Sequence, residues 1–323
     1  MDQLLLLLPL ALIILVGILA AKFKLVQRDA YLFINKVVIF VAMPALTISG
    51  LVSLASSQIS KFPQFTLVNT VSMIVFGLVL LLILSKTKLP YEKQGSIFMS
   101  VSEGNVVYFG YPIILGLFGP TYFLYAVIYF ALTQQIVATF EAIVLTKKKG
   151  GNISWKKFLS DFFKNPLVLS TIIGFIIFGI VQIFPKDLPI PTMQAINSIA
   201  GVFNTVLTKL GSIASTLALF SLGVYLYSNF KVNTFKLSLI SSFLRLLVLP
   251  AFILLVVLYI VPMNKAAAET SVLLACMPTA VFAVIASDVY GYDKNQTSNS
   301  LIVSSTLFIG TLFFWLWVLS VTF

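Results

Sequence analysis

The 323-residue sequence contains no histidine, a single cysteine and few charged residues. Cys276 alone can form neither an intramolecular disulfide nor a cysteine metal cluster, and the lack of histidine excludes the usual zinc sites and imidazole-based nucleophile activation. No glycine-rich phosphate loop of the GxxxxGK type occurs. We therefore expect no enzyme, no cofactor and no metal. A proton carried near neutral pH must reside on a carboxyl group.

The scarcity of charge also excludes a soluble protein. Charged residues make up 10% of the chain and hydrophobic residues 59%, whereas a soluble domain carries about 25% charged residues. Since roughly 20 apolar residues cross one bilayer, the chain has room for about ten membrane-spanning helices and little else. We predict an all-α membrane protein with ten spans. They cover residues 4–21, 31–55, 64–85, 95–117, 121–145, 166–184, 196–227, 235–261, 267–290 and 297–322.

The net charge of +11 is interpreted as a signal of membrane orientation. If the amino terminus is outside, fifteen basic residues fall in inside connections and only Lys61, Lys186 and Lys265 fall in outside ones. The positive-inside rule then places both termini outside the cell membrane. The main cytoplasmic loop is 147–164, between a first five-helix repeat over 1–146 and a second over 165–323. Because Lys147 to Lys149 is a short run without interleaved aromatics, we expect a lipid bilayer and no nucleic acid as partner.

The two halves carry similar short patterns in the same order. Pro9–Gly17 resembles Pro166–Gly174, and Ala45–Gly50 resembles Ala218–Gly223. Since each half has five predicted spans, the second enters the membrane in the opposite orientation. Such a 5+5 inverted repeat is typical of secondary transporters, in which two oppositely oriented copies of one fold support inward-open and outward-open states.

Helices four and nine are predicted to break at equivalent positions and to cross there. Ser102–Asn105 interrupts helix four, and Met277–Thr279 interrupts helix nine. Proline removes a backbone donor, glycine permits unusual dihedral angles, and half-helix N-termini after the breaks favour an anion such as a carboxylate. The candidate substrate-binding residues are Gly104, Asn105, Pro278 and Thr279, together with Thr133 and Gln134 on helix five.

Ionisable residues inside spans are functional candidates because burying a charge in hydrocarbon is costly. Glu103 is a candidate for proton coupling, with pairing to a buried cation as the alternative. Arg245 is expected either to neutralise a substrate carboxylate or to pair with Asp288. Asp288 and Glu141 are predicted to lie at water-accessible helix ends.

Four stretches together resemble the auxin efflux carrier family: Asn35–Pro44, Gly104–Pro112, Leu219–Gly223 and Met277-Pro278. The resemblance covers essentially the whole chain. It implies a ten-span inverted-repeat carrier related in fold to sodium and bile-acid symporters, with a bacterial branch that transports malate, malonate and similar organic anions. It further implies that helices one, two, six and seven form a dimerising scaffold and that the other six move as a transport domain.

The resemblance also implies roles for individual residues. Asn105 matches the crossover asparagine, Pro278 the crossover proline, and Arg245 with Pro250 an arginine and proline of helix eight. Plant members tend to have proline where this chain has Gly104, and a long polar loop where 147–164 is short. A secondary transporter of small organic anions with an elevator-like mechanism is therefore favoured over an auxin carrier. A sodium-coupled symporter and an anion channel are the alternatives, and the coupling ion is a proton or sodium.

Overall fold

In the computed structural model, residues 2–27, 29–52, 60–148, 163–183, 190–229 and 235–323 are described. Within these ranges the regular structure is helical apart from one isolated antiparallel bridge between Gly104 and Thr279. The α-helices are α1 (Asp2–Lys22), α2 (Ala30–Val37), α3 (Met43–Val52), α4 (Phe62–Ser85), α5 (Tyr91–Ser102), α6 (Tyr111–Phe118), α7 (Pro120–Ile128), α8 (Gln135–Lys148), α9 (Pro166–Ile183), α10 (Ile190–Asn229), α11 (Phe235–Phe243), α12 (Leu249–Leu255), α13 (Lys265–Ala275), α14 (Val281–Val289) and α15 (Lys294–Thr322).

Seven continuous helices of the described residues are long and apolar enough to cross a membrane. The prediction of a helical, multi-pass membrane protein is therefore confirmed, whereas the count of ten spans stays a prediction. The 147–164 connection lies mostly outside the described residues. The seven helices are Ala30–Val52, Phe62–Ser85, Pro120–Glu141, Pro166–Ile183, Ser198–Ser228, Phe235–Ile260 and Lys294–Thr322.

The predicted spans 95–117 and 267–290 are each interrupted. The first begins earlier than predicted, as α5, and resumes after residues 103–105 as a π-helical segment and α6. The second begins as α13 and resumes after residues 276–280 as α14. Each piece alone is too short to cross a bilayer, so backbone groups at both breaks need hydrogen-bond partners outside their own helix.

Several helices contain a π-helical turn that precedes a proline. Val38–Ala42, Val106–Gly110 and Leu244–Val248 are each followed by proline at the second position after the segment. Proline cannot donate to the carbonyl four residues before it, which leaves that oxygen free for another donor. For Pro250 this oxygen belongs to Leu246, and the Trp315 indole donates to it at 2.7 Å.

Helices α1 and α10 touch backbone to backbone at two glycines. A Cβ atom at Gly17 would overlap the carbonyl oxygen of Phe220, and one at Gly223 would overlap the carbonyl oxygen of Ile14. Close approach through small residues is a common way for membrane helices to associate, because lipid supplies no hydrophobic drive between them. Gly17 and Gly223 both belong to the short patterns shared by the two halves.

We expect Gly223→Ala to destabilise the protein. The added methyl group has to push α1 away from α10, and overpacking of this kind costs about 1–3 kcal/mol. Gly179→Ala is the matched control, because beyond the adjacent backbone of its own helix nothing lies within 4 Å of the position that its Cβ would occupy. Thermal unfolding of the detergent-solubilised variants measures the difference, and equal melting temperatures would contradict the close contact.

Candidate functional site

The two helix breaks pair with each other through their backbones. The Asn105 amide donates to the Pro278 carbonyl at 2.8 Å, and the Ala280 amide donates to the Glu103 carbonyl at 2.8 Å. The extended dihedral angles of Glu103 and Ala280 make this two-bond pairing possible. Extended backbone would otherwise be unsatisfied at this depth, so each break supplies the hydrogen bonds that the other lacks.

Arg245 donates to carbonyl groups of the segments that lead into the two breaks. Its Nε donates to the Met277 carbonyl at 2.7 Å, and its Nη2 donates to that of Leu274 at 3.4 Å. Its Nη1 donates to the carbonyls of Val101 and Ser102 at 2.9 and 3.2 Å. Val101 and Ser102 end α5, Leu274 lies in the last turn of α13, and Met277 follows that helix by two residues. The buried guanidinium therefore caps two helices whose final carbonyls carry partial negative charge.

Gly104 provides the space that the guanidinium occupies. A Cβ atom at this position would overlap Nη2 of Arg245. The residue is therefore small because a charged side chain packs against its α-carbon. This contact gives a physical reason for glycine at a position where plant members of the auxin efflux carrier family tend to have proline.

A cavity of about 390 Å³ lies beside the paired breaks. Its wall includes the first turns of the two helices that resume after the breaks, at Val106 and Val281. The other lining residues are Ile39, Glu103, Gly104, Asn105, Val107, Tyr108, Phe130, Gln134, Gln135, Ala138, Lys164, Asn165, Pro166, Leu167, Ala280 and Phe282.

The polar groups of the cavity wall are fixed by different partners. Asn105 Oδ1 accepts from the Tyr108 amide at 3.2 Å, which leaves Nδ2 buried with no acceptor among the described residues. Gln134 Nε2 donates to Glu103 Oε2 at 2.6 Å. Lys164 is exposed and brings a positive charge to the wall. The wall therefore offers a free amide donor, a cation and two helix N-termini.

Comparison with known proteins identifies the kind of molecule that carries this cavity. The model of the membrane transport protein family matches residues 4–316. The chain belongs to this family, the auxin efflux carrier family. It is also 28% identical over 317 residues to an uncharacterized transporter of Methanocaldococcus jannaschii, a match that covers 95% of this chain and 96% of the relative. The predicted membership of the auxin efflux carrier family is thereby confirmed.

Three predicted substrate-binding residues of this family member lie outside the cavity wall. Thr279 is buried at the paired breaks, and its hydroxyl donates to the Ser100 carbonyl at 2.8 Å. Thr133 is also buried, and its hydroxyl oxygen accepts from that of Thr70 at 3.4 Å. Pro278 contributes its carbonyl to the pairing of the breaks. Of the predicted site residues, Glu103, Gly104, Asn105 and Gln134 line the cavity.

Asp288 lies exposed near the end of α14, as predicted, whereas the predicted pairing of Arg245 with Asp288 and the predicted exposure of Glu141 are corrected. Arg245 does not pair with Asp288, because Asp288 forms an ion pair with Lys294 at 3.1 Å. Glu141 is 4% exposed and does not lie at a water-accessible end. The reason is that α8 continues to Lys148, about two turns beyond Glu141.

Lys164 lines the cavity but is not among the predicted site residues, because its charge is interpreted at the level of the sequence entirely as a signal of membrane orientation. It directly precedes Asn165, whose Oδ1 accepts from the Leu167 amide at 2.9 Å and caps α9. This cap and Pro166 mark a helix start in the sequence. The same signal places Lys164 just before the first turn of α9. It cannot show that this turn borders a cavity formed by segments far apart in the chain.

We expect Arg245→Met to destabilise the protein strongly. Methionine has no donor, and each buried carbonyl left without one costs about 1–3 kcal/mol. Lys236→Met is the control, because it removes an exposed charge from α11, just ahead of the turn that carries Arg245. Thermal unfolding in detergent compares the two variants, and an Arg245→Met protein as stable as the control would contradict the capping role.

Proposed function

We propose that the protein is a secondary transporter of small organic anions, carboxylates such as malate or malonate, and that the cavity beside the paired breaks is its substrate site. The observation that carries the proposal is the buried Asn105 Nδ2, a hydrogen-bond donor with no acceptor among the described residues. An unsatisfied buried donor costs free energy unless a ligand supplies the acceptor. A carboxylate oxygen supplies it.

The charges of the wall favour an anion over a neutral or cationic ligand. The first turns at Val106 and Val281 carry the partial positive charge of helix N-termini, and Lys164 adds a full charge at an exposed position. Gln134 Nε2 donates to Glu103 Oε2, so the glutamine amide holds one carboxylate oxygen of the wall in place. Phe130 and Phe282 provide apolar surface for a short carbon chain.

The arrangement of helices supports an elevator-like mechanism. Helices α1, α3, α9 and α10 pack against one another, while α5 and α11 to α15 form a second group around the breaks. Adding α1 and the two interrupted helices to the seven continuous spans gives ten, in agreement with a 5+5 inverted repeat. We further propose the cell membrane as the location, with both termini outside, and a homodimer formed through the first group.

Asn105→Asp is the sharpest test of the site. Aspartate keeps the oxygen that accepts from the Tyr108 amide but replaces the free donor with a negatively charged acceptor. Since a hydrogen bond to a charged group contributes about 1.5–3 kcal/mol, we expect the Kd for malate or malonate to rise about tenfold or more. Titration of the thermal unfolding temperature with each acid measures it.

The control for Asn105→Asp is Asn204→Ala on α10, a helix that contributes none of the described residues of the cavity wall; Asn204 Oδ1 accepts from the Ser49 hydroxyl at 3.2 Å. Counterflow in proteoliposomes then tests transport itself: preloaded unlabelled malonate should accelerate uptake of labelled malonate. Continuous current without counterflow would indicate a channel, and strict sodium dependence would indicate a symporter of the bile-acid type. An Asn105→Asp protein that binds and transports normally would overturn the site.

We expect Lys164→Gln to weaken anion binding by up to about fivefold, because the charge is exposed and screened by water. The loss should shrink as salt is added, since screening removes the same interaction in the unmodified protein. Lys86→Gln, which removes an exposed charge just after α4, should leave binding unchanged. An effect of Lys164→Gln that is independent of ionic strength would contradict an electrostatic role.

A further inference from the structure

Glu103 and Glu141 form a buried carboxyl pair at the edge of the cavity. Glu103 follows α5 and lines the cavity, and Glu141 extends from α8 to the Glu103 carboxyl group. Their exposed fractions are 3% and 4%. The two carboxyl groups lie within hydrogen-bonding reach of each other. The proposed binding of an organic anion makes no use of this contact.

The hydrogen bonds of the pair are incomplete without a proton. Glu103 Oε2 accepts from Gln134, but Glu103 Oε1 and Glu141 Oε2 are buried and have no donor among the described residues. Ionised carboxylates are acceptors only, so two of them cannot bond to each other. One shared proton turns the contact into a hydrogen bond between a carboxylic acid and a carboxylate.

The charges around the pair also indicate that the two glutamates share one proton. Arg245 carries one positive charge and faces the pair from the π-helical turn Leu244–Val248, which directly follows α11. Tyr129 and Tyr290 face it from two further elements and are neutral near pH 7. One cation beside two ionised carboxylates leaves a net negative charge in a buried site, whereas one added proton makes the cluster neutral.

We propose that Glu103 and Glu141 together bind one proton, and that this proton is the coupling ion of the transporter. The inference rests on the proposed transport function. It assigns to Glu141 a role as proton-binding partner, and it makes the pair, instead of Glu103 alone, the coupling site.

The position of the pair explains how a proton and an anion can move together. Glu103 lies in the wall that contains Asn105, so a second negative charge on the pair repels an anion bound there. Protonation removes that charge and permits the anion to bind. The proton enters from water on one side of the membrane and leaves to water on the other after the anion dissociates. The pair therefore predicts symport, with one proton carried for each anion.

Infrared spectroscopy of the purified protein detects the proton without any transport assay. A protonated buried carboxyl group gives a carbonyl stretching band that shifts in D₂O. We expect this band at neutral pH in the unmodified protein and expect its loss in Glu141→Gln, because the glutamine amide then donates to an ionised Glu103. Glu103→Gln should lose the same band, and it serves if Glu141→Gln does not fold.

The matched control is Glu269→Gln. Glu269 is also a buried glutamate, but it accepts from the Tyr122 hydroxyl at 2.6 Å and pairs with Lys265 at 3.8 Å. Its replacement should leave the protonated band in place. Absence of the band from the unmodified protein would overturn the proposal. So would a sodium-dependent rise in its unfolding temperature that Glu141→Gln abolishes, since sodium would then occupy the pair.

Proteoliposomes test whether the proton is coupled to transport. With the membrane potential held at zero, one proton per anion lets a gradient of one pH unit sustain up to about tenfold accumulation of labelled malonate. Glu141→Gln should lose this accumulation but retain counterflow. Accumulation that persists in Glu141→Gln would overturn the coupling role. A protein that moves no malonate but shows the glutamate-dependent band would contradict the proposed function and leave the proton site in place.

Discussion

The capping of two helix ends by Arg245 is the contact on which the rest of the site depends. Breaking a helix inside a membrane leaves carbonyl groups with no water to satisfy them, and two such breaks meet here. The guanidinium is suited to the task because it presents several donors in one plane and stays charged. With the carbonyls of Met277 and Val101 bonded to it, the two breaks can pair with each other and their second halves can face the cavity.

The same contact explains the choice of residues around it. Gly104 is small because Nη2 of Arg245 lies where a Cβ would be. Thr279 lies opposite Gly104 in the bridge and bonds to the carbonyl of Ser100, so its hydroxyl ties the second break to the helix before the first. Asn105 differs from both, because one end of its side chain caps a helix and the other end is left free. Residues that look alike in a motif thus divide into those that build the site and those that can bind a ligand.

Irregular backbone also occurs outside the breaks, in π-helical turns that precede a proline. Arg245 itself lies in such a turn, just before Pro250, and the carbonyl that this proline frees is bonded by Trp315. Gln134 ends a further π-helical segment, Tyr129–Gln134, which no proline follows, and its amide donates to Glu103. Wide turns of this kind shift the direction of side chains relative to a regular helix, which is a common feature of functional sites.

The sequence by itself determined the environment of this protein and the location of its irregular backbone. Scarce charge required a membrane, long apolar runs required helices, and glycine, asparagine and proline marked the breaks at Gly104 and Pro278 because these residues disfavour a regular helix. Only the tertiary structure decided what each polar side chain contacts. It turned Arg245 toward carbonyl groups, brought Glu141 to Glu103 and put Lys164 in the cavity wall. The physical reason is that these partners come from segments far apart in the chain, and helical periodicity fixes only the contacts within one helix.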